Sequence, residues 1–275
     1  MKVIVYGAHS QDWMSALAPE AQVWKQLPQV ESVTHLVEGQ EAPHYLIKDS
    51  KNVVLIPLME THRYAMPREF NSLTSPVGTI QTLSNKRFYQ LAMRKKGFAE
   101  YVPEYWSQEH DPVFPCLIKR ENLNAGNGVF WIENIEELNR IRQDPIFSAQ
   151  SYFFEEAIQG EEEFVTHLVA KNGNILLTHT FCYSMDDNKI RVPGNFQKIC
   201  PVEIPMRLKL IFEAIMKSFD YSGPANIDYK IYNGVPKIFE INPRMGGSLM
   251  MPDHLPFLID VIGALIDNAI YSLDD

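Results

Sequence analysis

Residues 225–248 read ANIDYKIYNGVPKIFEINPRMGGS, and no other stretch limits the fold so tightly. Two runs rich in β-branched and aromatic residues flank Asn233-Gly234, the pair best suited to the positive φ angles of a two-residue hairpin turn. An antiparallel pair is therefore expected here, with polar residues recurring on its second strand. Alternate residues of a strand point the same way, so Glu240, Asn242 and Arg244 converge if the extended geometry lasts that far. Two hard oxygen donors and a fork of N–H donors suit a divalent cation and its phosphate oxygens. A salt-bridged strand end before a turn would show the same spacing. Asp228 lies on the partner strand. A two-residue turn pairs Tyr232 with Val235 and sets Asp228 and Glu240 on opposite faces, whereas an odd-length loop, or a bulge near Pro236, sets them on one. A metal site needs the second arrangement, so a three-residue loop or a bulge is expected. Three oxygen ligands plus phosphates would suit Mg²⁺, which keeps several non-protein ligands.

At 275 residues the chain can bury a sizeable core and hold more than one domain. Its net charge of −9 argues against a broad nucleic-acid-binding face, because such faces are basic. Cys116, Cys182 and Cys200 are widely spaced and form no CxxC pair, which indicates neither a disulfide scaffold nor a zinc site and fits a reduced, cytoplasmic setting. The apolar run in MKVIVYGAHS is too short for a signal peptide. The most apolar late segment, PFLIDVIGALIDNAI, is broken by Asp260 and Asp267, so no membrane span is expected.

KVIVYG reads as a buried strand closing in a glycine turn, SVTHLVEG as a strand, residues 10–18 as a short helix and NVVLIPLMETH as a second buried strand at residues 52–59, the pattern of an α/β opening. GAHSQD lacks the GxGxxG spacing of a dinucleotide site. SNKRFYQLAMRKKGF predicts a helix capped by Ser84, with Phe88, Leu91 and Ala92 on one face and Gly97 past its end. PCLIKRENLNAGNGVFWIEN reads strand, glycine loop, strand, and Asn134 caps a helix through IEELNRIRQD. YFFEEAI is a strand, and EFVTHLVAKNGNILLTHTFCYS a hairpin around Asn172-Gly173. DDNKIRVPGN is a polar loop. Leu208, Ile211, Phe212, Ile215, Met216 and Phe219 form the helical core stripe of PMRLKLIFEAIMKSFDYSG, and a last helix covers about 256–272. A strand-rich second half predicts an antiparallel sheet there.

Phosphates also need cations and backbone N–H donors. Lys119 ends an apolar strand and precedes NLNAGNGV, whose backbone could fold over phosphate oxygens. An exposed lysine before an ordinary hairpin turn would read alike. In FFEEAIQGEEEF the strand leaving as EEAI could offer backbone groups to an adenine edge, and a nearby Glu could take ribose hydroxyls. A solvated acidic turn has the same composition.

Taken in order, these pieces resemble the ATP-grasp superfamily over residues 76–252. GPANIDYKIYNGVPKIFEINPRMGGS looks like the metal-binding hairpin of its carboxylate–amine ligases, close to the carbamoyl-phosphate-synthetase-like branch with Asn-Pro-Arg. PCLIK with its glycine loop and FEEAIQGEE are the second and third items. The resemblance implies an ATP-grasp fold of mixed α/β and α+β class: a parallel α/β domain over 1–80, a lid lobe over 81–156, and a C-terminal lobe over 157–275 that grips ATP with it. By position it implies Lys86, Lys119, Gly126, Gly128, Glu155, Glu156, Ile158 and Glu162 at ATP, the last as the ribose ligand. Asp228, Glu240 and Asn242 would hold Mg²⁺, with Mn²⁺ as the alternative. Arg244 would stabilise the transferring phosphate, with Lys189 or Arg191 at the γ-phosphate. Gly246, Gly247 and Ser248 would bind the substrate carboxylate. Glu60 and His62 are candidates to take the amine proton.

The resulting expectation is an ATP-dependent ligase that activates a carboxylate as an acyl-phosphate for attack by an amine. Its partners would be small molecules, with amino acids the family default and homodimers common. A kinase on the same fold and a non-catalytic nucleotide-binding regulator are the alternatives.

Overall fold

The computed structural model describes residues 1–121, 128–148, 151–191 and 196–269. β1 (Lys2–Tyr6) lies between β2 (Ser32–Leu36) and β3 (Val53–Pro57) in a parallel sheet, with the helix Gln11–Ala16 after β1. β1 and β3 are nearly continuous apolar runs because both faces of the sheet are covered. Val3, Val5, Val54 and Ile56 point into one core; Ile4, Tyr6 and Leu55 join Phe70 in another. Gly7 closes β1 at φ +97°, and a Cβ there would come within 1.9 Å of the His62 ring, so glycine alone fits that turn.

A second sheet, antiparallel in the order β4-β7-β5-β6, comprises β4 (Tyr105–Ser107), β5 (Cys116–Arg120), β6 (Val129–Ile132) and β7 (Tyr152–Glu156). The helix Ile135–Arg142 caps as expected, with Asn134 Oδ1 accepting from Glu137 N at 2.9 Å. Leu138 packs with Phe147 on Cys116, Ile118 and Phe154.

The third sheet, also antiparallel, runs β10-β9-β8-β11-β12: β8 (Glu162–Lys171), β9 (Asn174–Met185), β10 (Phe196–Val202), β11 (Gly223–Tyr232) and β12 (Val235–Asn242). Asn172 and Gly173, at φ 50° and 76°, form the expected turn between β8 and β9. One face packs on the stripe of the helix Met206–Ser218, where Phe212, Ile215 and Met216 are fully buried. At one end of the other face, Val165, Val169 and Phe181 share a core with Val3, Val5 and Leu258, Val261 and Ile262 of the helix Leu255–Asn268. The remainder of that second face, polar on β8, β11 and β12 and apolar at Tyr183, Phe196 and Ile199 on β9 and β10, carries the candidate site.

Two sequence expectations need correction. The helix Lys86–Lys95 is capped by Asn85, whose Oδ1 accepts from Phe88 N at 2.9 Å; Ser84 instead ends the preceding helix, Val77–Ser84, and donates to Ile80 O. Phe88 and Leu91 are 56% and 46% exposed, while Tyr89, Gln90 and Met93 are buried. The helix packs toward β12, where Tyr89 Oη donates to Ile238 O, so tertiary placement selects the other face. Among the described residues no helix is long and apolar enough to cross a membrane.

Candidate active site

The hairpin β11–β12 keeps its two-residue turn and contains a bulge. Tyr232 pairs with Val235, Ile231 with Pro236 and Tyr229 with Ile238; the register then slips, and Asp228 faces Glu240. Phe239 is the extra residue. The bulge expected from the sequence therefore exists, three residues beyond Pro236. Pro236 holds its register because β12 is an edge strand, where a missing N–H can face away from the ladder. Phe239 and Glu240 both line the same cavity as a result.

That cavity, about 800 Å³, is bordered at its centre by Lys86, Arg191, Asp228, Glu240, Asn242 and Arg244. Asn242 Nδ2 donates to Asp228 Oδ2 at 3.1 Å and to Glu240 Oε1 at 3.0 Å, so one amide bridges both carboxylates. Asn226 Nδ2 donates to Asp228 Oδ2 at 2.9 Å, and the buried Asn226 Oδ1 has no partner. Burial pushes the Asp228 carboxyl up to about 7, helped by Glu240 and Glu163 and opposed by Arg191. Burial works the same way on Glu240, but Lys86, Asn242, Lys119 and Arg244 together hold its carboxyl below the usual range. Among the described residues no three His, Cys, Asp or Glu side chains form a metal cluster. The donors present are two facing carboxylates and amide oxygens, hard ligands that fit Mg²⁺, an ion that draws its remaining ligands from phosphates and water.

Lys86, first residue of its helix, lies 3.9 Å from Glu240 Oε2. Arg191 reaches back from the loop after β9: Nη2 is 2.7 Å from Asp228 Oδ1, Nε 2.8 Å from Glu163 Oε1, and the guanidinium lies 4.3 Å over the Tyr183 ring. Burial disfavours its charge, but Asp228 and Glu163 raise its affinity for the proton above that of a free arginine. Lys189 is anchored elsewhere, 2.8 Å from Glu133 Oε1 and 5.7 Å over Trp131, which ties this loop to the four-stranded sheet. Its hydrogen bond to Glu133 raises its own proton affinity.

At the other end of the cavity Lys119 is buried and ion-paired to Glu155, itself 1% exposed, with Gln90 Nε2 donating to Glu155 at 2.8 Å. Burial raises the Glu155 carboxyl, and Lys119 and Gln90 counter it. The Glu155 side chain thus holds Lys119 and does not line the cavity. Glu156 faces away too: its N–H and carboxylate are engaged by Glu104 O and Glu104 N. Ile158 lines the cavity, and its carbonyl accepts from the buried Lys230 Nζ at 3.3 Å. Of the acidic run at residues 161–163, the side chain that faces the cavity is Glu163; Glu162 is exposed outside it. Strand alternation decides this, because Glu163 shares the face of Val165 and of Asp228's partner register. Gly128, at φ 71°, accepts from Arg120 N at the base of the β5–β6 hairpin; Gly126 lies outside the described residues.

Arg244 is seated by Glu60, whose buried Oε2 lies 3.0 Å from Nε without hydrogen-bond alignment, and by Met245 O, which accepts from Nη1 at 2.9 Å. Glu60 stands behind the arginine and is not part of the cavity wall. His62 is likewise engaged, accepting from Met59 N at 3.1 Å, and burial lowers its affinity for a proton. Gly246, Gly247 and Ser248 do line the cavity. A Cβ on Gly246 would fall 2.3 Å from the His167 ring, and His167 Nε2 lies 2.7 Å from Ser248 Oγ. Full burial pushes His167 down to about 3, so a neutral imidazole supports this loop. The sequence reading missed Glu163, Gln90, Asn226, His167 and Lys230. Asn226, two residues before Asp228, was the one legible from strand period.

No protein-family model and no curated protein matches the chain. Solved structures do. The D-alanine–D-alanine ligase of Bacillus anthracis complexed with ATP superposes with a TM-score of 0.64 at 17% identity, covering 97% of this chain and 94% of that one. The L-amino acid ligase of Bacillus licheniformis gives 0.65 at 15%, covering 98% and 75%. The phosphoribosylamine–glycine ligase of Thermotoga maritima gives 0.63 at 17%, covering 93% and 71%. The shared architecture is the ATP-grasp fold, and at these identities the likeness is one of fold.

Proposed function

We propose that the chain is an ATP-dependent carboxylate–amine ligase that forms an amide or peptide bond with release of ADP and phosphate. The observation that carries this reading is the bulge at Phe239, which brings Asp228 and Glu240 face to face, bridged by Asn242, in a cavity also lined by Lys86, Lys119, Arg191 and Arg244. A bulge is retained where it re-aims a side chain, and here it aims two carboxylates and a ring into one space. The ligases among the fold neighbours are consistent with the reading.

In this reading Ile158 offers backbone groups to the base, with Leu117, Val129 and Phe239 against its faces. Glu163 replaces Glu162 at the ribose. Lys119, held by Glu155 and Gln90, and Lys86 neutralise phosphate oxygens. Asp228, Glu240 and Asn242 would hold Mg²⁺, which when bound offsets phosphate charge. Arg191 leaves Asp228 for the γ-phosphate as nucleotide enters. Arg244, fixed by Glu60, and the backbone of 246–248 orient the acid. An oxygen of the substrate carboxylate attacks the γ-phosphorus in line, and the bond to the ADP oxygen breaks. The amine then attacks the acyl carbon, the phosphate leaves with the C–O electron pair, and the amine loses a proton. The sheet β4–β7, tied to the loop 186–191 through Lys189–Glu133, would exclude water by closing on the site. The helix Lys86–Lys95 would stay with the core of the C-terminal lobe.

The test is phosphate release from Mg²⁺-ATP with pooled amino acids and small carboxylates, alongside Glu240→Ala. Release that requires a pool and is lost in the variant supports the ligase. A phosphorylated product without an amine would favour a kinase. ATP binding with no release under any pool would favour a regulator.

A further inference from the structure

Beyond its charged centre, the cavity has a second apolar region, away from the one at the Ile158 end. Tyr183 from β9 and Phe196 and Ile199 from β10 stand on its wall, with Met251 beside the 246–248 loop. Tyr183 and Ile199 are direct cross-strand partners, and the Tyr183 and Phe196 rings meet edge to face at 5.2 Å. The position is informative because this surface faces into a cavity. It continues past Arg191, whose guanidinium stacks on Tyr183 while Nη2 pairs with Asp228 and Nε with Glu163. Arg191 faces two carboxylates, and Lys189 on the same loop is paired with Glu133; in the ligase reading Arg191 turns to the γ-phosphate, which keeps its charge matched. A second carboxylate on a ligand would therefore lie against carbon, beside a guanidinium already set against two carboxylates. An apolar substituent would exchange water for rings and branched aliphatic carbons.

We propose that Tyr183, Phe196, Ile199 and Met251 form the side-chain subsite of the acid that is activated, so that this acid carries an aliphatic or aromatic substituent and no second charge. The inference rests on the ligase reading. It adds which acids are chosen and which residues choose them. Arg244 and the 246–248 backbone line the same cavity as this wall, and Met251 stands three residues after Ser248, so an acid held there by its carboxylate has the wall within the same space for its substituent. Apolar pockets discriminate by about 10–200-fold per methylene gained or lost. An acid of leucine or phenylalanine size should then exceed its glycine-size counterpart by at least ten-fold in kcat/KM.

The experiment measures ADP formation with full-length protein and Mg²⁺-ATP against a graded acid series of glycine, alanine, leucine, phenylalanine, aspartate and lysine, with hydroxylamine as a common trap for the acyl-phosphate. Wild type, Phe196→Ala, Ile199→Ala and Ile199→Lys are compared. The expected result is a preference for leucine or phenylalanine, a loss of about ten-fold or more in that preference in both alanine variants, and a shift toward aspartate in Ile199→Lys. An ATP-induced rise in melting temperature in every variant confirms that each is folded. A best substrate that is charged or glycine-sized, or a profile unmoved in the alanine variants, overturns this inference and leaves the ligase reading standing. Absence of acid-dependent turnover with any acid overturns both.

Discussion

Removing the carboxylate of Glu60 should release Arg244, and the structure sets the size of the effect. The two side chains are 7% and 17% exposed and approach to 3.0 Å. With an effective dielectric of about 20, unit charges at that distance attract by about 5 kcal/mol before desolvation is counted. Breaking a buried pair from one side costs about 3–5 kcal/mol, because the partner is left charged and uncompensated. The contact lacks hydrogen-bond alignment, which favours the lower figure, about 3 kcal/mol. The assay is a double-mutant cycle by urea unfolding of wild type, Glu60→Ala, Arg244→Met and the double variant, with ATP turnover measured in parallel. We expect a coupling of about 1.5–3 kcal/mol, with the double variant more stable than Glu60→Ala alone. In the proposed ligase reading Glu60→Ala should also lower kcat, since a free guanidinium no longer presents a fixed fork. A coupling under about 0.5 kcal/mol would refute the claim that Glu60 seats Arg244.

Three further outcomes follow from the same geometry. Burial holds Asp228 near 7, above the about 3.9 of an unfolded aspartate, so its contribution to stability is complete below about pH 4 and is lost as pH rises through 7. Urea midpoints at pH 5 and pH 8 should differ more in wild type than in Asp228→Asn; a gap independent of pH contradicts this. Gly7→Ala combines a φ of +97° with a Cβ 1.9 Å from His62, and should cost about 2–4 kcal/mol in urea unfolding; a loss below about 1 kcal/mol would show that the turn relaxes. Lys119→Met leaves the fully buried Glu155 with Gln90 alone and should destabilise by about 3–5 kcal/mol, whereas Lys119→Met with Glu155→Leu should recover much of it; failure of the second change to help would place the cost elsewhere.

Much of this molecule is legible from spacing because local rules and global fold agree. The stripe from Leu208 to Phe219 has one period and one burial solution. Asn172-Gly173 and Asn233-Gly234 supply the positive φ angles that their turns require, and Asn134 caps the helix that its position announces. Agreement ends where two local choices cost nearly the same. Phe88-Leu91 and Tyr89-Met93 both offer the helix Lys86–Lys95 an apolar edge, and only the position of β12 selects between them. Glu162 and Glu163 are chemically identical, and the register of β8 on β11 turns the second toward the cavity.

By itself the sequence determined that a charged hairpin exists, that its turn is Asn233-Gly234, and that Asp228 and Glu240 can share a face only through an irregularity. Those conclusions follow from chain geometry with a period of two, which needs no knowledge of the neighbours. The tertiary structure alone decided that the irregularity falls at Phe239, that Arg191 folds onto Asp228, and that Glu60 stands behind Arg244. Each of these depends on free energies between residues far apart in the chain, where burial makes one pairing of charges or one slip of register cheaper than its near-equals.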